Sequence, residues 1–410
     1  MATVWSFFSG AGGLDLGFES AGLMPQLAVE IDPACCATLN ANRGSRKILQ
    51  RDIASVTAGV LREAASTSDV DLMIGGPPCQ SFSTGGGRAA LSDPRGNLIF
   101  RYVQLIADVR PRAFVLENVA NLITAAISHR PIDKRPGKRW NLSSYSAGDN
   151  SESRFDDNPP LTQEELSGSA ITYLLEVLRK KLGYSISLAI LNAADFGAPQ
   201  RRLRLFIVGD RDSKAPAFPM PSHGDGASYP VATVRDAIWD LRNNPGPGSE
   251  YIDATRQVFD LVPPGKNWRS LPPEVARAAM GERSYAAGGG KVGFFRRLAW
   301  DEPSPTITGR SNRKGSALCH PEQSRPLSVK ECARIQGFPD EWCFVGSSAS
   351  QYLQIGNAVP ISLGAAVGHM MAQHLDGSGA VETRTVEAMV VDATRKLRDS
   401  ARTKRAAPAS

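Results

Sequence analysis

Val4-Trp-Ser-Phe-Phe-Ser-Gly-Ala-Gly-Gly-Leu-Asp-Leu-Gly17 begins as an apolar, β-rich run and breaks directly into a glycine-rich turn. Glycines after a first strand let the backbone turn tightly and approach a ligand, with a helix amino terminus behind them. Working outward, β-rich runs recur at Leu27–Ile31, Asp71–Ile74, Ala113–Leu116, Ser185–Leu191 and Arg204–Val208. Amphipathic stretches lie between them at Leu14–Ala21, Pro33–Asn42, Val56–Ala65, Leu98–Val109 and Ile171–Leu182. Alternation of this kind predicts an α/β fold, a mostly parallel doubly wound sheet with helices on both faces. Ligands of such sheets sit beyond the carboxyl ends of the strands, so functional residues are expected just after each one. The glycine spacing is not the GxGxxG of a nicotinamide site, and no Lys-Ser/Thr pair follows as in a nucleoside-triphosphate loop.

The length of 410 residues argues for two or three domains with ample core. A hydrophobic share of 42% and a charged share of 21% describe an ordinary globular protein. No apolar run approaches the ~18 residues of a membrane span, and the amino terminus lacks the features of a secretory signal. Six cysteines and five histidines show neither CxxC nor HxxxH spacing, so neither a disulfide scaffold nor a structural zinc site is indicated. A cytoplasmic protein in a reducing compartment is expected, with no membrane partner. The net charge of +6 is modest, but its placement is uneven. Arg130, Lys134, Arg135, Lys138 and Arg139 crowd one polar stretch, and Arg395, Lys396, Arg398, Arg402, Lys404 and Arg405 load the end of the chain. Each cluster reads either as solvated surface or as an electrostatic footprint for phosphate.

The segment 127–167 breaks the rhythm with Pro, Ser, Asn and charges and reads as an inserted surface loop. From about Arg211 the alternation disappears, and Pro and Gly punctuate short pieces, marking a smaller, irregular domain over 211–345. Helices are expected at Ser328–Gly337 and Ile361–Leu375, and a basic, flexible tail over 377–410.

Strand-end residues supply the chemistry. Phe8 offers a ring face, Glu30 a carboxylate suited to ribose hydroxyls, and Asp52-Ile53 a partner for an adenine amino group with an apolar wall. Together they favour a nucleoside-containing cofactor. In Asp71-Leu-Met-Ile-Gly-Gly-Pro-Pro-Cys79-Gln-Ser-Phe-Ser83, a strand delivers Cys79 through a stiff turn. A polar, Gly-rich loop through Arg88 and Arg95 follows, and a nucleophile wants both a fixed backbone and a mobile lid. The other five cysteines read as small buried hydrophobes. Glu117-Asn118 ends the next strand, and Gln200-Arg-Arg-Leu-Arg204 precedes another, with Arg202 and Arg204 expected on one face. No histidine base accompanies them, which disfavours a protease-like dyad.

With these motifs assembled, the chain resembles the prokaryotic DNA (cytosine-5)-methyltransferases. The resemblance rests on Phe8-Ser-Gly-Ala-Gly-Gly, Pro77-Pro-Cys-Gln, Glu117-Asn-Val, Gln200-Arg-Arg-Leu-Arg, the run Arg325–Pro339 and Gln354-Ile-Gly-Asn-Ala-Val-Pro, in that order. It implies a Rossmann-like S-adenosylmethionine-dependent fold whose catalytic domain is discontinuous, 1–210 and 346–376, with 211–345 as target-recognition domain. Cys79 would add to cytosine C6, Glu117 would bond N3 and the exocyclic amine, and Arg204, with Arg202 beside it, would hold O2. The base must leave the helix to be reached. Phe8, Gly10, Ala11, Gly13, Glu30, Ile31, Asp52, Ile53, Pro78, Leu98, Asn357 and Ala358 would hold S-adenosylmethionine, leaving S-adenosylhomocysteine as product. No metal is implied. Gln80, Ser83, Arg88, Arg95, Arg296, Arg297 and Thr306 would contact DNA. The implied partners are duplex DNA and a cognate restriction endonuclease, with the enzyme acting as a monomer. The run from Lys266 to Trp300 resembles recognition domains that modify palindromes with a central CG step. Two departures bear on the cofactor side: Ile31 stands where many relatives place an aromatic, and Arg51 where glycine is common. Structured RNA is one rival substrate, though the recognition segment of RNA-modifying relatives is shorter. A catalytically silent DNA-binding regulator is the other rival, and it would have no need of Cys79, Glu117 and Arg204 together.

Overall fold

A computed structural model describes residues 2–44, 46–67, 69–78, 98–128, 161–286, 293–310 and 318–406, with side chains as far as Ala401. Its centre is a seven-stranded sheet in the order β3-β2-β1-β4-β5-β8-β6. The strands are β1 (Val4–Phe7), β2 (Pro25–Glu30), β3 (Lys47–Gln50), β4 (Leu72–Gly75), β5 (Ala113–Val119), β6 (Ser185–Asn192) and β8 (Leu203–Asp210), the short β7 (Gln200–Arg201) lying outside the sheet. The first five run parallel, as the alternation predicts. The last connection departs from it, because β8 folds back between β5 and β6 and is antiparallel to both.

Side chains leave the sheet with a period of two, and both sets are apolar, so helices cover both faces. Trp5, Phe7, Met73, Phe114, Leu116, Leu205 and Ile207 join one core with α3 (Ala58–Ala65), α4 (Leu98–Val109) and α5 (Ser169–Glu176). Val4, Leu72, Ile74, Ala113, Val115, Phe206 and Val208 face the other way, against α1 (Gly13–Ser20) and α12 (Ile361–Leu375). The close approach of α1 to α12 requires glycine: a Cβ on Gly17 would lie 2.5 Å from the Ala365 nitrogen, and one on Gly13 2.6 Å from the Val359 carbonyl. α12 is thereby seated on α1, behind the glycine turn.

Between Arg211 and Val345 the chain forms short helices, α6 (Val234–Ile238), α7 (Asp253–Asp260), α8 (Pro273–Met280) and α9 (Glu282–Ala286), and two-residue strands, β9 (Arg296–Arg297), β10 (Ser304–Pro305) and β11 (Leu318–Cys319). Tyr251, Phe259, Val262, Leu271, Met280 and Phe295 give this region a small core of its own. A second cluster joins it to the seven-stranded sheet and its helices, linking Leu16, Ala28 and Leu39, the last from α2 (Pro33–Asn42), with Ile238, Ile307 and Ile335. Ile335 belongs to α10 (Val329–Gln336), which starts on a reciprocal Ser328–Glu331 capping box and ends at Gly337 in the left-handed region. α11 (Ser348–Asn357) then leads into α12.

The segment after Gly377 corrects the expected flexible tail. Val386–Ala406 forms a helix, α13, whose Val386, Met389 and Ala393 enter the main core. The stripe recurs every three to four residues, enough to bury one face of a charged helix. It covers β6, the edge strand, whose Leu188 N–H bonds the Met389 sulfur at 3.4 Å. The Ser128 N–H bonds the Glu164 carbonyl at 3.1 Å, and residues 129–160, most of the expected polar insert, lie outside the described residues. Among the described residues no single helix is long and apolar enough to cross a membrane, and no group of His, Cys, Asp or Glu is arranged to hold a metal ion.

Candidate active site

β1 pairs with β2 on one side and β4 on the other, so the chain winds outward in both directions from this point. Such a switch point opens a crevice beyond the carboxyl ends of the two strands. The loops that leave it are Phe8–Gly12 and Gly76–Pro78.

The first loop is strained and heavily held. Phe8 has φ 54°, unusual for a bulky residue, and Gly10 and Gly12 are also left-handed at 53° and 86°. Behind the loop, the Ser6 hydroxyl bonds Ser9 at 2.9 Å and donates to buried Asp15 at 2.6 Å. Arg46 closes this network from the rear, bonding Asp15 at 2.6 Å and pairing with Glu19. Glu30, at the end of β2, accepts the Gly10 N–H at 2.8 Å on one oxygen and those of Ile31 and Asp32 on the other. A carboxylate has about four acceptor positions, which leaves room for a hydroxyl. A Cβ on Gly10 would meet nothing within 4 Å, so the turn faces open space. Asp52 caps the turn at Ile53 by accepting the Ala54 N–H at 2.9 Å, and Ile53 is buried beneath it. Ile31 is 58% exposed and directly follows the β2 strand end. Leu98 opens α4 and packs at the core edge.

Gly13 and Ala358, both expected at the cofactor, lie against each other. Gly13 faces Ala358 and Val359, and its missing Cβ is what lets the end of α11 approach. Ala358 itself is thereby carried to the back of the turn, with Asn357 ending α11 next to it.

On the β4–β5 side, Glu117 is buried near the end of β5, and its carboxylate lies 2.7 Å from Arg204 Nε. Burial raises the Glu117 carboxyl above the ordinary carboxylate range, against the opposing pull of Arg204 and Arg202. A Cβ on Gly76 would stand 2.9 Å from Glu117 Oε2, so any side chain there would push on the carboxylate. Asn118 donates from Nδ2 to the Pro77 carbonyl at 2.9 Å and accepts the Val119 N–H at 2.9 Å. That clamp fixes the main chain two residues before Cys79. Cys79 and the expected DNA-contacting residues Gln80, Ser83, Arg88 and Arg95 lie outside the described residues; Pro78 is the last one before them.

Arg202 and Arg297 depart from the sequence expectation. Arg202 is expected on one face with Arg204, beside the base. Its guanidinium is instead buried and donates to the carbonyls of Ile307, 2.8 Å, and Gly356, 2.9 Å. Gln200 and Gln336 complete this junction: Gln200 Nε2 bonds Gln336 Oε1 at 2.7 Å, and Gln200 Oε1 accepts the Ile307 N–H at 3.2 Å. Arg297, expected on DNA, is only 6% exposed and bonds the carbonyls of Val262, Phe259 and His320 and the Ser324 hydroxyl. Both arginines organise backbone because buried carbonyls need donors and a guanidinium supplies five. Arg296 is half-buried, and Thr306 bonds the Arg201 carbonyl at 3.0 Å. Asn118, Asp15, Arg46 and Gln336 hold the site together without having been singled out from the sequence. Only Asn118, beside a strand-end carboxylate, carries a local signal.

A strained glycine turn with flanking strand-end carboxylates lies next to a buried Glu–Arg pair behind a Pro-Pro loop, all at the carboxyl ends of the strands, where α/β enzymes of this architecture carry their sites. The comparisons make the class particular. The C-5 cytosine-specific DNA methylase family model matches residues 2–130 and 166–373. The chain belongs to that family and is a DNA cytosine-5-methyltransferase. It is 35% identical over 376 residues to the Type II methyltransferase M.Sau96I of Staphylococcus aureus, covering 91% of this chain and 76% of that one. Identity to M.Eco47II of Escherichia coli is 34% over 387 residues, covering 91% and 79%. In fold it matches an E. coli prophage protein assigned as a DNA modification methyltransferase, with TM-score 0.59 and 22% identity over 92% of this chain and 100% of that one.

Proposed function

We propose that the enzyme transfers a methyl group from S-adenosylmethionine to C5 of a cytosine flipped out of a specific duplex DNA sequence, through a covalent bond from Cys79 to C6. The observation that carries this reading is the buried Glu117–Arg204 pair, 2.7 Å apart, beside a loop whose backbone Asn118 clamps just before Cys79. Cytosine C5 is a weak nucleophile until a group adds at C6. The Cys79 thiolate makes that addition, while Glu117, which burial keeps protonated to higher pH, shares its proton with N3 and accepts from the exocyclic amine. Arg204 balances the charge at Glu117 and reaches for O2. S-Adenosylmethionine, when bound, supplies the methyl group as the electrophile that C5 accepts. Loss of the C5 proton and then of the Cys79 thiolate restores the aromatic ring. The base has to leave the stack for any of this, at a cost of a few kcal/mol.

The cofactor fits the open side of the glycine turn. Phe8 offers its ring, Glu30 its remaining acceptor position to the ribose, and Asp52, Ile31 and Ile53 the surroundings of the adenine, with Ala11, Pro78, Leu98 and Asn357 around them. The region 211–345 reads the target sequence, and residues 1–210 and 346–376 form the catalytic domain. Arg202 acts here as a positioning residue that ties β7 to the Ile307 segment and to α11. The likeness to enzymes named Type II methyltransferases supports a role as the modification half of a restriction–modification pair.

Glu30→Ala removes a charged acceptor from the ribose and releases the Gly10 N–H. Since a hydrogen bond to a charged group is worth about 1.5–3 kcal/mol, the Kd for S-adenosylmethionine should rise about 10- to 150-fold. Calorimetric titration measures it, and an unchanged Kd would remove Glu30 from the site. The function itself is tested by incubating the protein with labelled S-adenosylmethionine and plasmid DNA and mapping modified cytosines by sequencing. Label at C5 of one recurrent motif is expected. Label confined to RNA, or none at all, would overturn the proposal.

A further inference from the structure

α13 is polarised along its length. Residues 386–394 contain Glu387 and Asp392 and no Lys or Arg, whereas 395–406 contain Arg395, Lys396, Arg398, Arg402, Lys404 and Arg405 against a single Asp399. Its direction is fixed by three interactions. Glu387 pairs with Arg179 at 3.3 Å, just before β6 begins. Met389 bonds Leu188 midway along β6. Lys396 pairs at 3.3 Å with Asp195, which lies just past the carboxyl end of that strand. The helix therefore climbs the sheet edge toward the catalytic side, and Leu191 of β6 aligns through Arg204 with Val119, two residues beyond Glu117. At 1.5 Å per residue, the chain from Lys396 to Ala406 extends about 15 Å further. A duplex that delivers a base to Glu117 has to lie on this side.

We propose that the basic end of α13, on which Arg395 and Arg398 are exposed among the described side chains, grips the phosphate backbone of duplex DNA flanking the target site. This rests on the reading that the Glu117 site takes its base from duplex DNA. Arg395 is 70% exposed in its side chain, and Arg398 is also exposed, on the face away from the buried Met389–Ala393 stripe. Basic residues near a helix carboxyl end also favour the helix dipole, but that effect is confined to the last turn. Arg395 and Arg398 precede Ala406 by two to three turns, so the dipole does not account for them. The grip is sequence-independent, because phosphates carry no base identity.

The test compares R395Q/R398Q with K180Q/K214Q, which removes the same charge from exposed positions at the opposite end of the sheet. Full-length proteins are titrated onto a target duplex and a non-target duplex between 50 and 200 mM NaCl, with melting curves as the fold check. Every phosphate that a variant no longer neutralises makes the slope of log affinity against log salt shallower by about 0.9. For R395Q/R398Q the slope should therefore be shallower by up to about 1.8 on both duplexes, and for K180Q/K214Q it should not change. Equal slopes for wild type and R395Q/R398Q, or equal changes in the two variants, would overturn the proposal while wild-type methylation of DNA stands. Absence of methyl transfer to DNA by the wild type would instead remove the reading on which it rests.

Discussion

Glu117→Gln should lower kcat about 10²- to 10⁴-fold, the usual worth of a positioned acid or base, while the protein keeps its fold. Gln has the shape of Glu and still presents one acceptor and one donor to the cytosine edge, but it holds no acidic proton for N3. The substitution therefore separates proton sharing from hydrogen bonding. pH adds a second readout. Burial raises the Glu117 carboxyl, so its acid form persists above the ordinary carboxylate range and is lost as pH rises through that raised value. Wild-type single-turnover rates should carry this alkaline limb on the Glu117 side, and Glu117→Gln should lack it. A variant within about threefold of wild type, with the limb intact, would assign the acid role elsewhere.

Arg297→Met should destabilise the recognition region by about 3–4 kcal/mol. Arg297 serves the main-chain carbonyls of Val262, Phe259, His320 and, at 3.5 Å, Pro321, beside the Tyr251–Phe259–Phe295 cluster. Met fills similar space but offers no donor, and each buried acceptor left unpaired costs about 1–3 kcal/mol, partly recovered by relaxation. Urea unfolding followed by tryptophan fluorescence reads the loss, since Trp268 and Trp300 pack in this region. A DNA-contacting arginine would behave in the opposite way. Stability would hold, and only the KM for DNA would rise.

The central sheet is legible in the sequence because its information is local. Alternating Val4, Trp5, Phe7 and Leu72, Met73, Ile74 declare strands buried on both faces, and the glycine turn after β1 places the crevice. Glu30, Asp52 and Glu117 are legible for the same reason, as polar residues stranded at the ends of apolar runs. Arg202 and Arg297 are not, because their partners lie far along the chain, Arg202 bonding a carbonyl 154 residues away and Arg297 one 38 residues away. Nothing in a basic residue announces whether it meets phosphate or a buried carbonyl. α13 is hidden for another reason. Its stripe of Val386, Met389, Val390, Ala393 and Leu397 has helical spacing, but the heavy charge between those positions reads as unstructured until β6 supplies a surface to cover. The antiparallel return of β8 is likewise invisible locally, since parallel and antiparallel strands buried on both faces have the same residue pattern.

The most direct measurement uses duplex DNA carrying 5-fluorocytosine at the mapped target, with S-adenosylmethionine present. Fluorine at C5 cannot leave as a proton, so a Cys79–C6 bond, once the methyl is accepted, has no route to release. Wild type should form a complex that survives denaturing electrophoresis and yields a peptide modified at Cys79, and Cys79→Ala should form none. A wild-type enzyme that methylates unmodified cytosine at C5 yet leaves no covalent complex on the fluorinated duplex would contradict nucleophilic addition by Cys79.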